Sequence, residues 1–145
     1  MILRSLLRED YDAVFALWKE TPEMELNSVD DSKSGFCRFV SRNPETCLGA
    51  FSEDGALLGL ALAGDDGRRG YLYHVTVAKS ARGRGIGRAL VTRVLELFTA
   101  RGLAKSGLLV FAHNEKGISF WEHMGFVTRR DLFYESRVLR PLERI

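Results

Sequence analysis

Apolar side chains recur along the chain with two periods, one helical and one extended, and the two alternate. Residues 2–5 open as a short strand. From 9 to 20, Tyr11, Val14, Phe15 and Trp18 stand at i, i+3, i+4 and i+7, the stripe of one helix face, and Pro22 closes that helix. A second helix is predicted over 31–42, with Phe36, Phe39 and Val40 on one face, caps on offer at 30–32, and Asn43-Pro44 as its stop. Residues 23–28 between them have no strong period and read as a loop or an irregular helical turn.

Strand signals follow. Segments 47–52 and 56–63 flank Glu53-Asp54-Gly55, a hairpin turn. Asp65-Asp66-Gly67 turns into 70–78, where Tyr71, Tyr73, Val75 and Val77 alternate with Leu72, His74 and Thr76. A long helix is predicted over 86–101, with Ile86, Ala89, Leu90, Val94, Leu97 and Phe98 on one side. Arg101-Gly102 closes it with a base near the carbonyl end and a glycine for a left-handed cap. An apolar strand at 107–112, a short helix at 114–124 ended by Gly125, and two more strands within 126–139 complete the pattern. The expectation is an α/β (α+β) chain: a mixed, mostly antiparallel sheet of six to seven strands flanked by four helices. The early run of hairpin strands separates it from a doubly wound sheet.

Composition narrows this further. A chain of 145 residues suits one domain, 1–145, and 46% hydrophobic with 10% aromatic residues is enough apolar surface to offset the entropy of ordering. Three Pro and two Cys exclude collagen-like and disulfide-dense classes. No apolar run approaches the ~20 residues of a membrane span. The first residues lack a signal peptide's basic start and cleavage site, so a cytoplasmic protein without a membrane partner is expected. Cys37 and Cys47 have no companion Cys or His at metal spacing. They are expected to be reduced, buried small hydrophobes, and no metal is expected.

Net charge is only +2, yet the charges are segregated. Between Glu9 and Asp31 eight acids face one base, Lys19; between Arg68 and Lys105 nine bases face one acid, Glu96. Such runs are often solvated faces, but they also suit a polyanion on one side and a cation on the other. A nucleic acid would need exposed aromatics interleaved with the bases. Six of the nine bases instead fall between Lys79 and Arg101, on or beside a helix, so no nucleic-acid partner is expected.

The chemistry is concentrated where the strand over 70–78 passes into the helix over 86–101. Gly83, Gly85 and Gly87 alternate with Arg84 and Ile86, and Arg82 and Arg88 flank them. Glycines let backbone approach a ligand, the first amides of a helix are unpaired, and arginine forks suit phosphate. The stretch therefore points to a phosphate or pyrophosphate. A P-loop would need Lys-Ser/Thr after Gly87 and meets Arg88-Ala89 instead. A dinucleotide fingerprint starting at Gly83 meets Arg88 where it needs a small residue, and one starting at Gly85 meets Leu90, with no acid ~20 residues on.

Arg82-x-x-Gly85-x-Gly87, after a strand and opening a helix, resembles the acetyl-CoA loop of the GCN5-related N-acetyltransferases. Asn114-Glu-Lys-Gly117, Phe120-Trp121 and Gly125-Phe126 resemble the family's second segment. The resemblance spans the chain and is nearest to small bacterial-type members of unassigned substrate. It implies a V-shaped splay between the fourth and fifth strands, with acetyl-CoA as cosubstrate. Pantetheine would bond to backbone near Val75 and Val77, the pyrophosphate would rest on Arg82, Gly83, Arg84, Gly85, Ile86, Gly87 and Arg88, and Asn114 and Trp121 would line the arm. Asn114 suits a helix N-cap equally well.

The implied reaction is direct attack of a primary amine, on a small molecule or peptide, upon the acetyl thioester in a ternary complex. Trp121 stands where many members carry a tyrosine acid, and an indole has no accessible pKa. Tyr134 is the replacement candidate. His74 lies near the place where many relatives carry a catalytic glutamate and is the candidate base. Of the other histidines, His113 is expected near the cleft and His123 at the surface. Glu25, Asn27, Asp30 and Asp31 are the candidate acceptor-binding residues, with Met24, Leu26 and Trp18 as walls, for an amine of positive charge. The other function class is a non-catalytic acyl-CoA-binding or sensory module. A homodimer is suggested by family analogy alone.

Overall fold

Two apolar cores, one on each face of a single sheet, account for how the chain folds. The computed structural model describes residues 1–145. Five strands lie side by side in chain order: β1 (Ile2–Ser5), β2 (Leu48–Phe51), β3 (Leu57–Asp65), β4 (Gly70–Val77) and β5 (Ser106–Leu108). The first four pair antiparallel and β5 joins β4 in parallel. The helices are α1 (Tyr11–Lys19), α2 (Lys33–Arg42), α3 (Ile86–Ala100) and α4 (Glu115–His123).

The period of two in β3 divides the cores. Leu60 and Leu62 point to one face, where they meet Val14, Leu17 and Trp18 of α1 and Phe36, Cys37 and Val40 of α2. Ala61 and Ala63 point to the other, where Ile86, Leu90, Val91, Val94 and Phe98 of α3 cover them with Leu48, Ala50 and Leu72. Large residues under two short helices and alanines under the long one let each layer fill its space. Ser32 caps α2 by accepting from the Gly35 N–H. Asp10 begins α1; its carboxylate accepts from the Leu7 N–H at 2.7 Å and from both terminal nitrogens of Arg4 at 2.8 and 3.0 Å.

The turns fall where the sequence places them. Gly55 and Gly67 take positive φ in the two hairpins, and Asp66 accepts from the Arg68 and Arg69 N–H groups. Both cysteines are free and buried, and burial pushes the Cys47 thiol up to about 11. No helix is long and apolar enough to cross a membrane.

Three expectations need correction. The sheet has five strands, not six to seven, because residues 127–145 form no strand. That segment is irregular and exposed, with Phe133 94% accessible, and its end is tied down. There Asn27 bridges Arg144, and the Ser28 N–H donates to the Glu143 carbonyl at 2.7 Å. The strand expected over 107–112 is confined to Ser106–Leu108. Leu26 and Trp18, expected to wall an acceptor site, are instead 3% and 1% exposed members of the α1/α2 core.

Candidate functional site

The parallel pair β4–β5 is registered over only three positions, Gly70 with Ser106, Tyr71 with Gly107 and Leu72 with Leu108. β4 then runs on to Val77 with no neighbour on that side, while the chain after Leu108 leaves the sheet. This is the splay between the fourth and fifth strands. The Ala78 N–H donates to the Leu58 carbonyl. By the alternation of an antiparallel ladder, the backbone groups of Val77 then face away from β3, into the opening. The Val77 carbonyl is met there by Arg82 Nε at 3.2 Å.

At the end of the opening, Gly83 and Gly85 both take left-handed backbone, with φ of 78° and 77°. A side chain there would be strained, although a Cβ at either would meet no atom within 4 Å. Gly85 is the N-cap of α3 and has no side-chain cap. The N–H groups from Gly83 through Arg88 find no acceptor in the protein. Arg84 Nε is held on the Ala81 carbonyl at 3.4 Å, and Arg88 lies exposed in the first turn. Ile86 contributes only its amide, since its side chain is buried in the α3 core. A run of open amides, a helix N-terminus and three guanidinium groups have the chemistry to hold an anion such as a diphosphate.

On the far side of the loop, Gly87 packs close to Phe120 of α4. Asn114 caps α4, its Oδ1 accepting from the Gly117 N–H at 3.0 Å, and a Cβ at Gly117 would stand 2.5 Å from the Asn114 amide. Trp121 is half-buried, edge-on to Phe120 and Phe126 at 4.9 and 5.2 Å, so it braces α4 against the α3 core.

β4 carries a bulge. Leu62 pairs with Tyr73 and Leu60 with Thr76, so His74 and Val75 together oppose Ala61. His74 is the one non-glycine residue with positive φ, 49°, a conformation that costs on the order of 1–2 kcal/mol. The kink turns its imidazole beneath the α1/α2 layer. There Nε2 lies 2.9 Å from Asp31 Oδ1, and the ring stands edge-to-face with Trp18 at 5.1 Å. A quarter of the His74 side chain remains accessible.

Asp31 is 3% exposed and its other oxygen accepts from the Asn27 N–H at 2.8 Å. Both oxygens are engaged inside the protein, which leaves neither free for an incoming cation. Asn27 is itself a turn former, its Oδ1 accepting from the Val29 and Asp30 N–H groups. Asp30 and Glu25 are exposed.

The other candidates are exposed. Tyr134 sits 71% exposed on the C-terminal arm. His113 stacks on Phe111 in an exposed loop, and His123 is an exposed residue bonded to the Ser119 carbonyl. Sequence reasoning missed Tyr73 as a site neighbour. It packs edge-on to Phe39, and burial, with Tyr71 and Tyr134 adding to it, raises its phenol, which therefore stays protonated at neutral pH. The signal for it was its place beside His74 on a strand already singled out.

A bulged, splayed sheet with an open amide loop at its mouth has the form that the resemblance to the GCN5-related N-acetyltransferases implies. The comparisons with known proteins agree: the acetyltransferase (GNAT) family matches residues 6–126, and the chain belongs to it. An acetyltransferase of Pectobacterium atrosepticum is 31% identical over 143 residues, 99% of each chain. One of Yersinia enterocolitica is 29% identical over 139 residues, 96% of each. Among solved structures, the PaiA N-acetyltransferase of Thermoplasma acidophilum, in complex with coenzyme A, superposes with a TM-score of 0.77 at 21% identity, over 88% of this chain and 90% of that one. Naa20 of Chaetomium thermophilum, in complex with a bisubstrate analogue, gives 0.74 at 22% identity, over 86% and 70%. The protein is an acetyltransferase.

Proposed function

We propose that the chain transfers the acetyl group of acetyl-CoA to the primary amine of a small molecule or a peptide. The observation that carries this reading is the unbroken run of unpaired amides from Gly83 to Arg88 beside Arg82, Arg84 and Arg88, at the mouth of the β4/β5 splay. The donor set fits a diphosphate, and Gly83 and Gly85 leave open space before it. The coenzyme A bound to the Thermoplasma relative supports the choice of nucleotide.

Acetyl-CoA supplies the activated acyl thioester. The chain's own residues then have three tasks. The amides and arginines at 82–88 hold the diphosphate. The backbone of β4 around Val75 and Val77 faces the splay and orients the pantetheine, while N–H groups there serve as oxyanion donors. His74, the strained residue on the same strand, accepts the amine's proton. Asn114 and Trp121 build the wall on the α4 side. A thiol of pKa ~8.5 leaves without an assigned acid, so Trp121 in place of a tyrosine does not stop the reaction. Glu25 and Asp30, with the acidic surroundings of α1, favour a cationic acceptor.

The test is thiol release from acetyl-CoA in the presence of polyamines, aminoglycosides and peptides with free N-termini. Release that depends on the acceptor supports the proposal, with turnover highest on cationic amines. Tight acetyl-CoA binding without release on any amine would instead favour the sensory module. Activity restricted to neutral or acidic acceptors would remove the assigned role of Glu25 and Asp30.

A further inference from the structure

The buried carboxylate of Asp31 has one local partner, the Asn27 N–H, and a second that its position in the sequence does not explain. It lies 43 residues from His74, yet Oδ1 meets His74 Nε2 at 2.9 Å. Its surroundings hold it from every side. Oδ2 accepts from the Asn27 N–H, the Asp31 N–H donates to the Asn27 carbonyl, and the Asp31 carbonyl accepts from the Tyr11 hydroxyl at 2.7 Å. Asn27 is fixed in turn by the Val29 and Asp30 amides. The imidazole is equally constrained. Trp18 stands edge-to-face with it, the bulge sets its backbone, and the His74 carbonyl accepts from the Thr76 hydroxyl at 2.9 Å.

We infer that Asp31 is the positioning residue of the proton acceptor: it fixes His74 as the Nε2–H tautomer and leaves Nδ1 as the nitrogen that takes the amine's proton. The inference rests on the acetyltransferase reading with His74 as base. An ionised carboxylate only accepts hydrogen bonds, so the ring nitrogen facing it carries the hydrogen. In the neutral ring the other nitrogen then holds the lone pair. When Nδ1 takes a proton, the ring becomes a cation whose Nε2–H already points at a buried anion. This explains why a carboxylate is buried here, and why the chain tolerates a left-handed φ at a non-glycine residue.

Asp31→Asn separates this role from a structural one. The Asn27 N–H must still face an acceptor, so the amide oxygen turns to it and the amide NH2 turns to His74. The ring then presents a lone pair at Nε2 and its hydrogen moves to Nδ1, which can no longer accept. The experiment is ring-nitrogen NMR on the parent and on Asp31→Asn at neutral pH, with kcat and KM for Asp31→Asn, His74→Gln and the double variant. The expected results are Nε2–H in the parent, Nδ1–H in Asp31→Asn, and a kcat at least about 100-fold lower. KM for acetyl-CoA stays unchanged, and the double variant is no slower than His74→Gln.

A parent ring protonated at Nδ1 overturns the inference and requires no variant to fold. So does a parent-like kcat in Asp31→Asn, or a loss that multiplies with that of His74→Gln. A parent that transfers acetyl to no amine contradicts the proposed function instead, and the parent's ring-nitrogen spectrum still decides the tautomer.

Discussion

His74 concentrates three features that are separately uncommon: a left-handed φ, a bulge in a paired strand, and a buried carboxylate on its ring. Strain of this kind persists only where surrounding contacts over-determine it, and it gathers at working sites. Elsewhere at the residue scale the polar contacts serve stability. Arg4 lies over the Phe51 ring at 3.8 Å and grips Asp10, whose carboxyl is held below its ordinary value first by Arg4 and then by the Leu7 amide. A carboxyl lowered on folding stabilises above its unfolded pKa, and that contribution fades as pH falls through the folded value. Asp10→Asn should therefore lower stability by about 1 kcal/mol at pH 7. The gap to the parent should close below about pH 4, as urea titrations at several pH values would check. An equal gap at pH 7 and pH 3 would contradict the assignment. The sequence offered His74 and Asp31 as separate candidates, base and acceptor site. Their contact was illegible there, because it depends on a one-residue bulge and on the path of the 26–31 segment.

Among the elements, the β4–loop–α3 unit was the most legible. Glycine spacing, arginines and helix start are all local signals, and each fell within a residue or two of its expected place. The strand expected over 107–112 shortened because an apolar run makes a ladder only where a neighbour continues, and β4 diverges after Leu72. The same reason removes the strands expected within 126–139, whose alternating residues have no partner along them. Gly85→Glu tests the loop as an element. The added Cβ meets nothing within 4 Å, so the fold should survive with a strain of roughly 1 kcal/mol. The carboxylate would stand before the open amides, and acetyl-CoA affinity should fall at least about tenfold, or ~1.4 kcal/mol. Unchanged affinity in titration calorimetry would remove the loop from the site.

For the molecule as a whole, charge segregation resolves into distinct jobs. Arg101 pairs with Asp65 and Glu45, and Arg93 with Glu96, which leaves Arg82, Arg84 and Arg88 without an acidic partner at the splay. The acidic first third divides in the same way: Asp10 is engaged by Arg4 and Asp31 is buried against His74, while Glu25 and Asp30 are exposed, Asp30 with one oxygen on the Asn27 amide. The arm from 127 onward returns to pair at 26–28, next to Asn27, so it closes the chain over the segment that holds Asp31. A crystal structure with bound coenzyme A tests the proposed seating of the cosubstrate most directly. The diphosphate is predicted to lie on the amides of Gly83 through Arg88, with the pantetheine entering between β4 and β5. A diphosphate bound elsewhere, with those amides unengaged, would contradict the account.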